Sequence, residues 1–150
     1  MNSLDEVRAA VLEVHPDQDP SRVDARLHSM NATFEDACVE GWEALMIGLE
    51  LPDPHDRHVV AAAIRGRAEV IVTANLRDFP GDVLEPLGLH AISPDDFLLD
   101  ALDLAPQVTI ASVKAQAAAT RRPPVSVTEV LEALERGGAP QFAAEVRGLL

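Results

Sequence analysis

The sequence predicts an α/β fold that contains a parallel sheet and is followed by a C-terminal region made only of helices. Two short apolar runs, 70–73 and 90–92, are typical of buried strands. A helical segment follows each run, and this alternation favours a parallel sheet. After Leu104 the pattern is wholly helical. We therefore expect an α/β core over residues 1–104 and an α-helical extension over residues 105–150.

The composition is that of a folded domain. The chain has 150 residues, of which 47% are hydrophobic, so disorder throughout is excluded. No segment approaches the ~20 apolar residues of a membrane span, and the first residues do not resemble a signal peptide. A single cysteine, Cys38, excludes an internal disulfide and indicates a reducing compartment. We expect a cytoplasmic protein without membrane contact, whose net charge of −13 offers no basic face to nucleic acid.

The first 51 residues predict two helices, a strand, and a turn of helix with a loop. Apolar residues at helical spacing over 4–14 predict the first helix, and Ser3 with Glu6 has the spacing of a capping box at its start. The elements expected after it are a helix capped by Asp19 or Ser21 and ending at Met30, a strand over 37–39, and a turn of helix with a loop over 45–51. Because Cys38 lies in this apolar strand, we expect its thiol to be buried.

The remaining elements alternate and then become helical. The predicted α/β elements are a helix over 54–65, a strand over 70–73 that is buried on both faces, a short helix over 79–87 and a strand over 90–92. A helix capped by Ser93 then runs through Leu102. Three more helices are predicted, over 106–121, 126–136 and 140–150. Ser126 and Glu129 form a capping box at the start of the second of these last three helices.

The first cluster that could carry chemistry lies at the start of the 54–65 helix. Asp53 and Asp56 are three residues apart, so both side chains can face the same way. One interpretation is purely structural, with Asp53 as the N-cap and Asp56 favouring the helix dipole. The other is that these carboxylates bind a hard cation at the mouth of a site. His55 and His58, at helical spacing but without a third ligand, are interpreted as surface residues.

The second cluster follows the 70–73 strand. Asn75 and Asp78 lie just beyond its carboxyl end, where ligands bind in open α/β sheets. The alternative is that they only cap a following helix. Glu6 also has two interpretations. It is either the capping-box partner of Ser3 or an acidic residue of a functional site.

Three sequence blocks stand out when taken in order and spacing. They are Asp56-x-x-Val59-x-Ala61-Ala62-Ala63, Val70-Ile71-Val72-Thr73-x-Asn75-x-x-Asp78-Phe79-Pro80 and Ser93-Pro94-Asp95-Asp96-Phe97-Leu98. Together these blocks resemble the PIN-domain family, which includes VapC-type toxins of bacterial toxin–antitoxin pairs. The resemblance implies metal-dependent ribonuclease activity. It makes Glu6 the second acid of the family and Asp56 the third, with Asp53 auxiliary. Asn75 matches the position of a fourth acid, and Asp78 follows it.

The resemblance also implies a cofactor and partners. Glu6, Asp53, Asp56 and Asn75 would hold Mg²⁺ or Mn²⁺, and the catalytic set would be Glu6, Asp56, Asn75 and Asp78. We expect Glu6, Asp56 and Asn75 to converge at the carboxyl end of the 70–73 strand. The expected partners are RNA as the substrate, an antitoxin protein, and a second copy of the chain in a homo-oligomer.

The chain departs from the family at its beginning. PIN domains begin with a strand that ends in an aspartate, and nothing before Leu4 matches it. We therefore expect an N-terminally shortened PIN-like core that lacks its first strand and is weak or inactive as a nuclease. One alternative is an inactive PIN-like module that acts through protein–protein contacts or homodimerisation. Another is a hydrolase or phosphatase site that uses Asp53 and Asp56.

Overall fold

A computed structural model describes residues 3–120 and 123–150, with the side chain of Ser3 outside the description. The described chain is mostly helical and contains one small parallel sheet, which confirms the predicted α/β class. It divides into two compact units, Met1–Gly41 and Trp42–Leu150. Each unit is considered by itself below.

The first unit contains helices α1 (Ser3–Val14) and α2 (Pro20–Thr33), close to the predicted bounds. Asp19 is the N-cap of α2, because its carboxylate accepts a hydrogen bond from the Ser21 N–H at 2.9 Å. The two helices pack together, and the Arg8 guanidinium pairs with Asp24 across them. The predicted capping box of Ser3 and Glu6 depends on the Ser3 side chain and lies outside the described residues.

The strand predicted over 37–39 is wrong. Residues Glu35–Ala37 form a 3₁₀ turn, and the described part of the chain offers this segment no strand to pair with. A strand requires hydrogen bonds from a neighbour, and three apolar residues cannot supply them. The prediction that Cys38 is buried is wrong as well. Its thiol is exposed and donates to the Asn31 amide oxygen at 2.9 Å.

The α/β part of the second unit alternates short helices and strands. Its regular elements are α3 (Arg57–Arg65), β1 (Val70–Val72), α4 (Gly81–Leu84) and β2 (His90–Ile92). The predicted helix over 54–65 is a 3₁₀ turn, Pro54–Asp56, that leads directly into α3. The helix predicted over 79–87 is instead the short α4 and a 3₁₀ turn, Glu85–Leu87. Pro86 interrupts the α-helical hydrogen bonding there because it has no N–H.

The two strands pair in parallel, as predicted, with Val70 opposite His90 and Val72 opposite Ile92. The strands pack on an apolar cluster, whose buried members are Leu51, Val60, Ile71, Phe79, Leu84 and Leu89. Burial on both faces is not observed, since Val72 is 43% exposed. The predicted PIN-like core, which contains more than this pair of strands, stays a prediction.

Four helices complete the second unit, and they have a core of their own. They are α5 (Pro94–Leu104), α6 (Pro106–Ala119), α7 (Val127–Arg136) and α8 (Pro140–Leu149). The buried members of this core are Leu102, Val113, Ala117, Val130, Leu131, Ala139, Phe142, Ala143 and Val146. Because α5 packs against α6 and α8, it contributes to this helical core. The predicted division of the chain at residue 104 stays a prediction.

Local signals set the starts of most helices. Ser93 accepts a hydrogen bond from the Asp96 N–H at 3.1 Å, and Ser126 with Glu129 forms the predicted capping box. A proline, whose fixed φ suits the first helical turn, opens each of four helices. These prolines are Pro20, Pro94, Pro106 and Pro140. No helix in the described part of the chain is both long and apolar enough to cross a membrane.

Candidate functional site

The candidate site in the second unit begins at the turn before α3. Asp53 caps this turn, since its carboxylate accepts the His55 N–H at 2.8 Å, and its carbonyl oxygen accepts the Asp56 N–H at 3.2 Å. The structural interpretation of Asp53 as an N-cap is therefore confirmed. Asp56 is half-buried at the N-cap position of α3, and its side chain makes no capping hydrogen bond there.

The α3 helix holds this turn against the core. Val60 and Ala61 are fully buried, whereas Asp53 and Asp56 are half-buried before the helix. The apolar side chains thus anchor the helix by their burial, and the carboxylates remain partly in contact with solvent. Two negatively charged groups at the start of a helix are also favoured by its dipole.

The polar residues after β1 lie at the carboxyl edge of the sheet. The Thr73 N–H donates to the Ile92 carbonyl at 3.0 Å, so the strand pairing extends to this point. The Thr73 hydroxyl then accepts the Asn75 N–H at 3.1 Å and directs the chain into the 3₁₀ turn Leu76–Asp78. This arrangement agrees with the general location of ligand sites in parallel sheets.

Asn75 and Asp78 form a pair. The Asn75 side-chain N–H donates to the Asp78 carboxylate, and the Asp78 N–H donates to the Asn75 carbonyl oxygen at 3.3 Å. Asn75 is exposed and Asp78 is half-buried. The amide of Asn75 is therefore oriented by a carboxylate, and the pair carries one negative charge between its two side chains.

Sequence reasoning did not identify Ser93 and Asp96 as neighbours of this edge. Because Val72 pairs with Ile92, the residues that follow them, Thr73 and Ser93, leave the sheet side by side. The Ser93 hydroxyl donates to the Asp96 carboxylate at 2.6 Å. The strand register was needed to place this second polar turn beside the first.

Glu6 lies half-buried in α1, in the unit Met1–Gly41, whereas the other four candidate residues lie in the unit Trp42–Leu150. The convergence of Glu6 with Asp56 and Asn75 stays a prediction. Within residues 3–120 and 123–150, no three His, Cys, Asp or Glu side chains are grouped so that they could hold a metal ion. The Mg²⁺ or Mn²⁺ ligand set predicted from the resemblance is likewise a prediction.

Three further residues adjoin the turn before α3, and sequence reasoning did not place them in the site. The Trp42 and His58 rings are 5.9 Å apart between centroids and tilted by 49°. His58 Nδ1 donates to the His55 carbonyl at 2.6 Å, which fixes its ring. Arg57 begins α3, and its Nε is shielded from solvent without a hydrogen-bond partner. The presence of one tryptophan and an arginine beside Asp56 was the available sequence signal.

The chain is similar to known proteins over parts of its length. Residues 94–148 match a family described as the VapC50 C-terminal domain. A relative from Mycobacterium tuberculosis (strain ATCC 25618 / H37Rv), named "Putative ribonuclease VapC50", is 51% identical over 94 residues. That match covers 63% of this chain and 55% of the relative, so the chain spans a little over half of the relative's length. No solved structure matches.

The match to the relative includes the sheet edge. Any stretch of 94 residues in a chain of 150 contains residues 57–94. Both strands, together with Asn75 and Asp78, therefore lie inside the matched region, as does Arg57. The family match over residues 94–148 covers α5 to α8 almost completely.

Proposed function

We propose that this chain, a VapC-type PIN-family protein matched over part of its length, acts as a metal-dependent ribonuclease of a toxin–antitoxin pair. The observation that carries the proposal is the 51% identity over 94 residues to a protein named as a ribonuclease. Its support in the structure is the set of oxygen-bearing side chains at the start of α3 and at the carboxyl edge of the sheet.

The proposed roles follow from the donor chemistry of these side chains. Glu6, Asp53, Asp56 and Asn75 offer only oxygen ligands, which suit Mg²⁺ and Mn²⁺ better than softer metals. When bound, such an ion activates water and stabilises negative charge on a phosphate. We assign catalysis to Glu6, Asp56, Asn75 and Asp78. The substrate we propose is RNA.

The described contacts limit how strongly the second unit alone would hold the ion. Asp53 already accepts the His55 N–H, and the Asp78 carboxylate already accepts from Asn75. Asn75 adds an amide oxygen rather than a carboxylate, and Mg²⁺ gives up its waters reluctantly. We therefore propose that this chain binds the metal weakly and cleaves RNA slowly.

The proposed partners have separate supports. An antitoxin protein is proposed because the relative carries a VapC name. A second copy of the chain is proposed because, among the described residues, the sheet has only two strands, so each strand pairs along one edge, and an edge strand favours pairing with another strand.

The experiment is cleavage of a labelled single-stranded RNA by the chain in Mg²⁺, in Mn²⁺ and in excess chelator. We expect slow cleavage in either metal and none in chelator. Asp56→Asn should abolish it, because an amide binds a divalent ion more weakly than a carboxylate. Asp100→Asn, which changes an exposed aspartate of α5, is the matched control and should cleave normally.

Three results would contradict the proposal in different ways. Cleavage that continues in excess chelator would exclude the metal. Equal cleavage by the Asp56 and Asp100 variants would remove Asp56 from the site. A chain that never cleaves RNA in either metal would favour the alternative function, an inactive module that acts through protein–protein contacts.

A further inference from the structure

The side of α6 that faces away from the helical core is apolar, although it is exposed to solvent. On the core side of this helix, Val113 and Ala117 are buried, and α6 packs against α5 and α7. On the opposite side Val108 is 67% exposed, and Ala111 and Ala115, three and seven residues later, are exposed beside it. The solvent side of a surface helix is normally polar, so this side is typical of a helix that another protein covers.

Large apolar side chains lie at one end of this surface. Leu104, the last residue of α5, is 88% exposed and precedes α6 directly. Among the described residues of the four C-terminal helices, Leu104 and Val108 are the most exposed large apolar side chains. Their burial against another protein would remove apolar surface from water and so favour association. The rest of the surface, toward the end of α6, consists of alanines.

The surface is also almost free of charge. Within α6, which is described in full, Lys114 is the one charged residue, and helical geometry places it at the margin of the surface. The other three C-terminal helices each expose charged side chains. At the opposite margin the Ser112 hydroxyl donates to the Val108 carbonyl oxygen at 2.9 Å and so requires no external acceptor. A second chain of the same net charge, −13, therefore meets the least repulsion here.

The order of large and small side chains makes the surface complementary to itself. When two copies pair antiparallel about a twofold axis, the large end of each lies on the alanines of the other. Val108 then packs on Ala111 of the second copy, and Leu104 packs on its Ala115. A parallel pair would instead place the large side chains against each other and the alanines against each other, which fills space poorly.

The charges beside the surface favour the same orientation. Asp103 is exposed just before α6, and Lys114 is exposed in the second half of that helix. An antiparallel pair brings each lysine toward the aspartate of the other copy, whereas a parallel pair would bring like charges together. The dipoles of two antiparallel helices also attract each other.

We propose that the surface formed by Leu104, Val108, Ala111 and Ala115 is the interface at which two copies of this chain associate, with their α6 helices antiparallel. This inference rests on the second copy proposed above as a partner and assigns it to a surface other than the sheet edge. The contact buries less than the ~800 Å² per partner of a standard interface, so we expect association in the micromolar range.

The first test is sedimentation equilibrium of the full chain across the micromolar range, in reductant so that Cys38 forms no disulfide. Ala115→Glu should raise the dissociation constant of the dimer about tenfold or more, because it places a charge in the apolar contact. The matched control is Ala133→Glu, at an exposed alanine within α7, which should change the constant less than twofold. Added salt should tighten the dimer of the unsubstituted chain, because it screens the repulsion between the two negative chains.

The second test is disulfide cross-linking, which reports the orientation and does not depend on the folding of the glutamate variants. Cysteine is introduced as Ala111→Cys or Ala118→Cys in a Cys38→Ser chain. In the antiparallel pair, the two copies of position 111 are offset by ~4.5 Å along the helix axis and the two copies of position 118 by ~25 Å. Oxidation should therefore link Ala111→Cys into a covalent dimer and leave Ala118→Cys monomeric.

Each contrary outcome is distinct. A chain that sediments as a monomer throughout the micromolar range would overturn the inference. Equal weakening by Ala115→Glu and Ala133→Glu would also overturn it and leave the sheet edge as the route to a dimer. Efficient cross-linking at both positions would show a parallel pair and contradict the proposed interface. The ribonuclease function is decided separately by the cleavage assay, because none of its proposed catalytic residues lies in α6.

Discussion

The carboxylate of Asp95 near the start of α5 accepts the backbone N–H of Phe142 near the start of α8 at 2.8 Å, although the two residues are 47 positions apart. Its second oxygen accepts the Gln141 N–H at 3.1 Å. Asp95 is only 6% exposed, and both N–H groups that it accepts lie in the first turn of α8, where the helix dipole favours a carboxylate. One side chain thereby links α5 and α8, the first and last of the four C-terminal helices.

Asp95→Asn should destabilise the protein by ~1.5–3 kcal/mol, because the amide can accept only one of the two hydrogen bonds and lacks the charge that favours the helix start. Urea denaturation followed by circular dichroism measures the change. Asp100→Asn, on an exposed position of the same helix, should remain within ~0.5 kcal/mol of the unsubstituted chain. Equal effects of the two substitutions would show that the Asp95 contacts contribute nothing to stability.

Phe142→Ala should cost ~3–5 kcal/mol, since this side chain is 1% exposed in the middle of the helical core and its removal leaves a cavity. The comparison is Leu149→Ala in the same helix, where the side chain is 57% exposed and the loss should be below ~1 kcal/mol. Thermal unfolding distinguishes the two. A Phe142 variant as stable as the Leu149 variant would contradict the assignment of this core.

The capping box at the start of α7 should make stability depend on acid pH. The Ser126 N–H and hydroxyl donate to the Glu129 carboxylate at 2.8 and 2.7 Å and lower its pKa below the ordinary value of 4.5. A lowered folded pKa adds stability that is complete above the unfolded pKa and is lost as pH falls through the folded pKa. Glu129→Gln should therefore flatten the decline in unfolding free energy below about pH 4.5, and exposed Glu132→Gln should not. If the unfolding free energy of the Glu129→Gln variant declined with acid pH just as that of the unsubstituted chain does, Glu129 would not be a source of the pH dependence.

Asn75→Asp should make the chain more dependent on divalent metal. The substitution removes the amide donor to Asp78 and places two carboxylates together, so it should destabilise the metal-free protein. Mg²⁺ or Mn²⁺ should then restore more stability than in the unsubstituted chain, where a hundredfold excess over the dissociation constant would add ~2.7 kcal/mol. Melting temperatures with and without metal provide the measurement. If metal raised the melting temperature of the Asn75→Asp variant and of the unsubstituted chain by the same amount, Asn75 would be removed from the proposed ligand set.

Much of the fold could be predicted because its signals are local. Ser93 and Ser126 cap helices through residues three positions away, and the sequence displays both ends of each contact. The two parallel strands were visible as apolar runs with a helix between them. The false strand at 37–39 shows the limit of the same reasoning, because strand formation depends on a partner that local sequence does not reveal.

The long-range contacts could not be predicted from the sequence. In the sequence, Asp95 stands next to Pro94 and Asp96 with no sign of a distant partner, whereas in the fold its carboxylate accepts the N–H groups of Gln141 and Phe142. Likewise, Arg57 looks like an ordinary charged residue in a helix until its Nε is found without a partner. The acidic residues of the candidate site were identified from local position and resemblance. Their convergence with Glu6 involves two separate units of the chain and stays a prediction.

The prolines that open α2, α5, α6 and α8 have a consequence for the time the chain needs to fold. In the unfolded chain each preceding peptide bond is cis in ~10–30% of molecules, so roughly one third to three quarters of molecules carry at least one cis bond among the four. Uncatalysed isomerisation takes tens of seconds. Molecules denatured for minutes should therefore regain their helices in a slow phase that prolyl isomerase accelerates, whereas molecules denatured for under a second should refold without it.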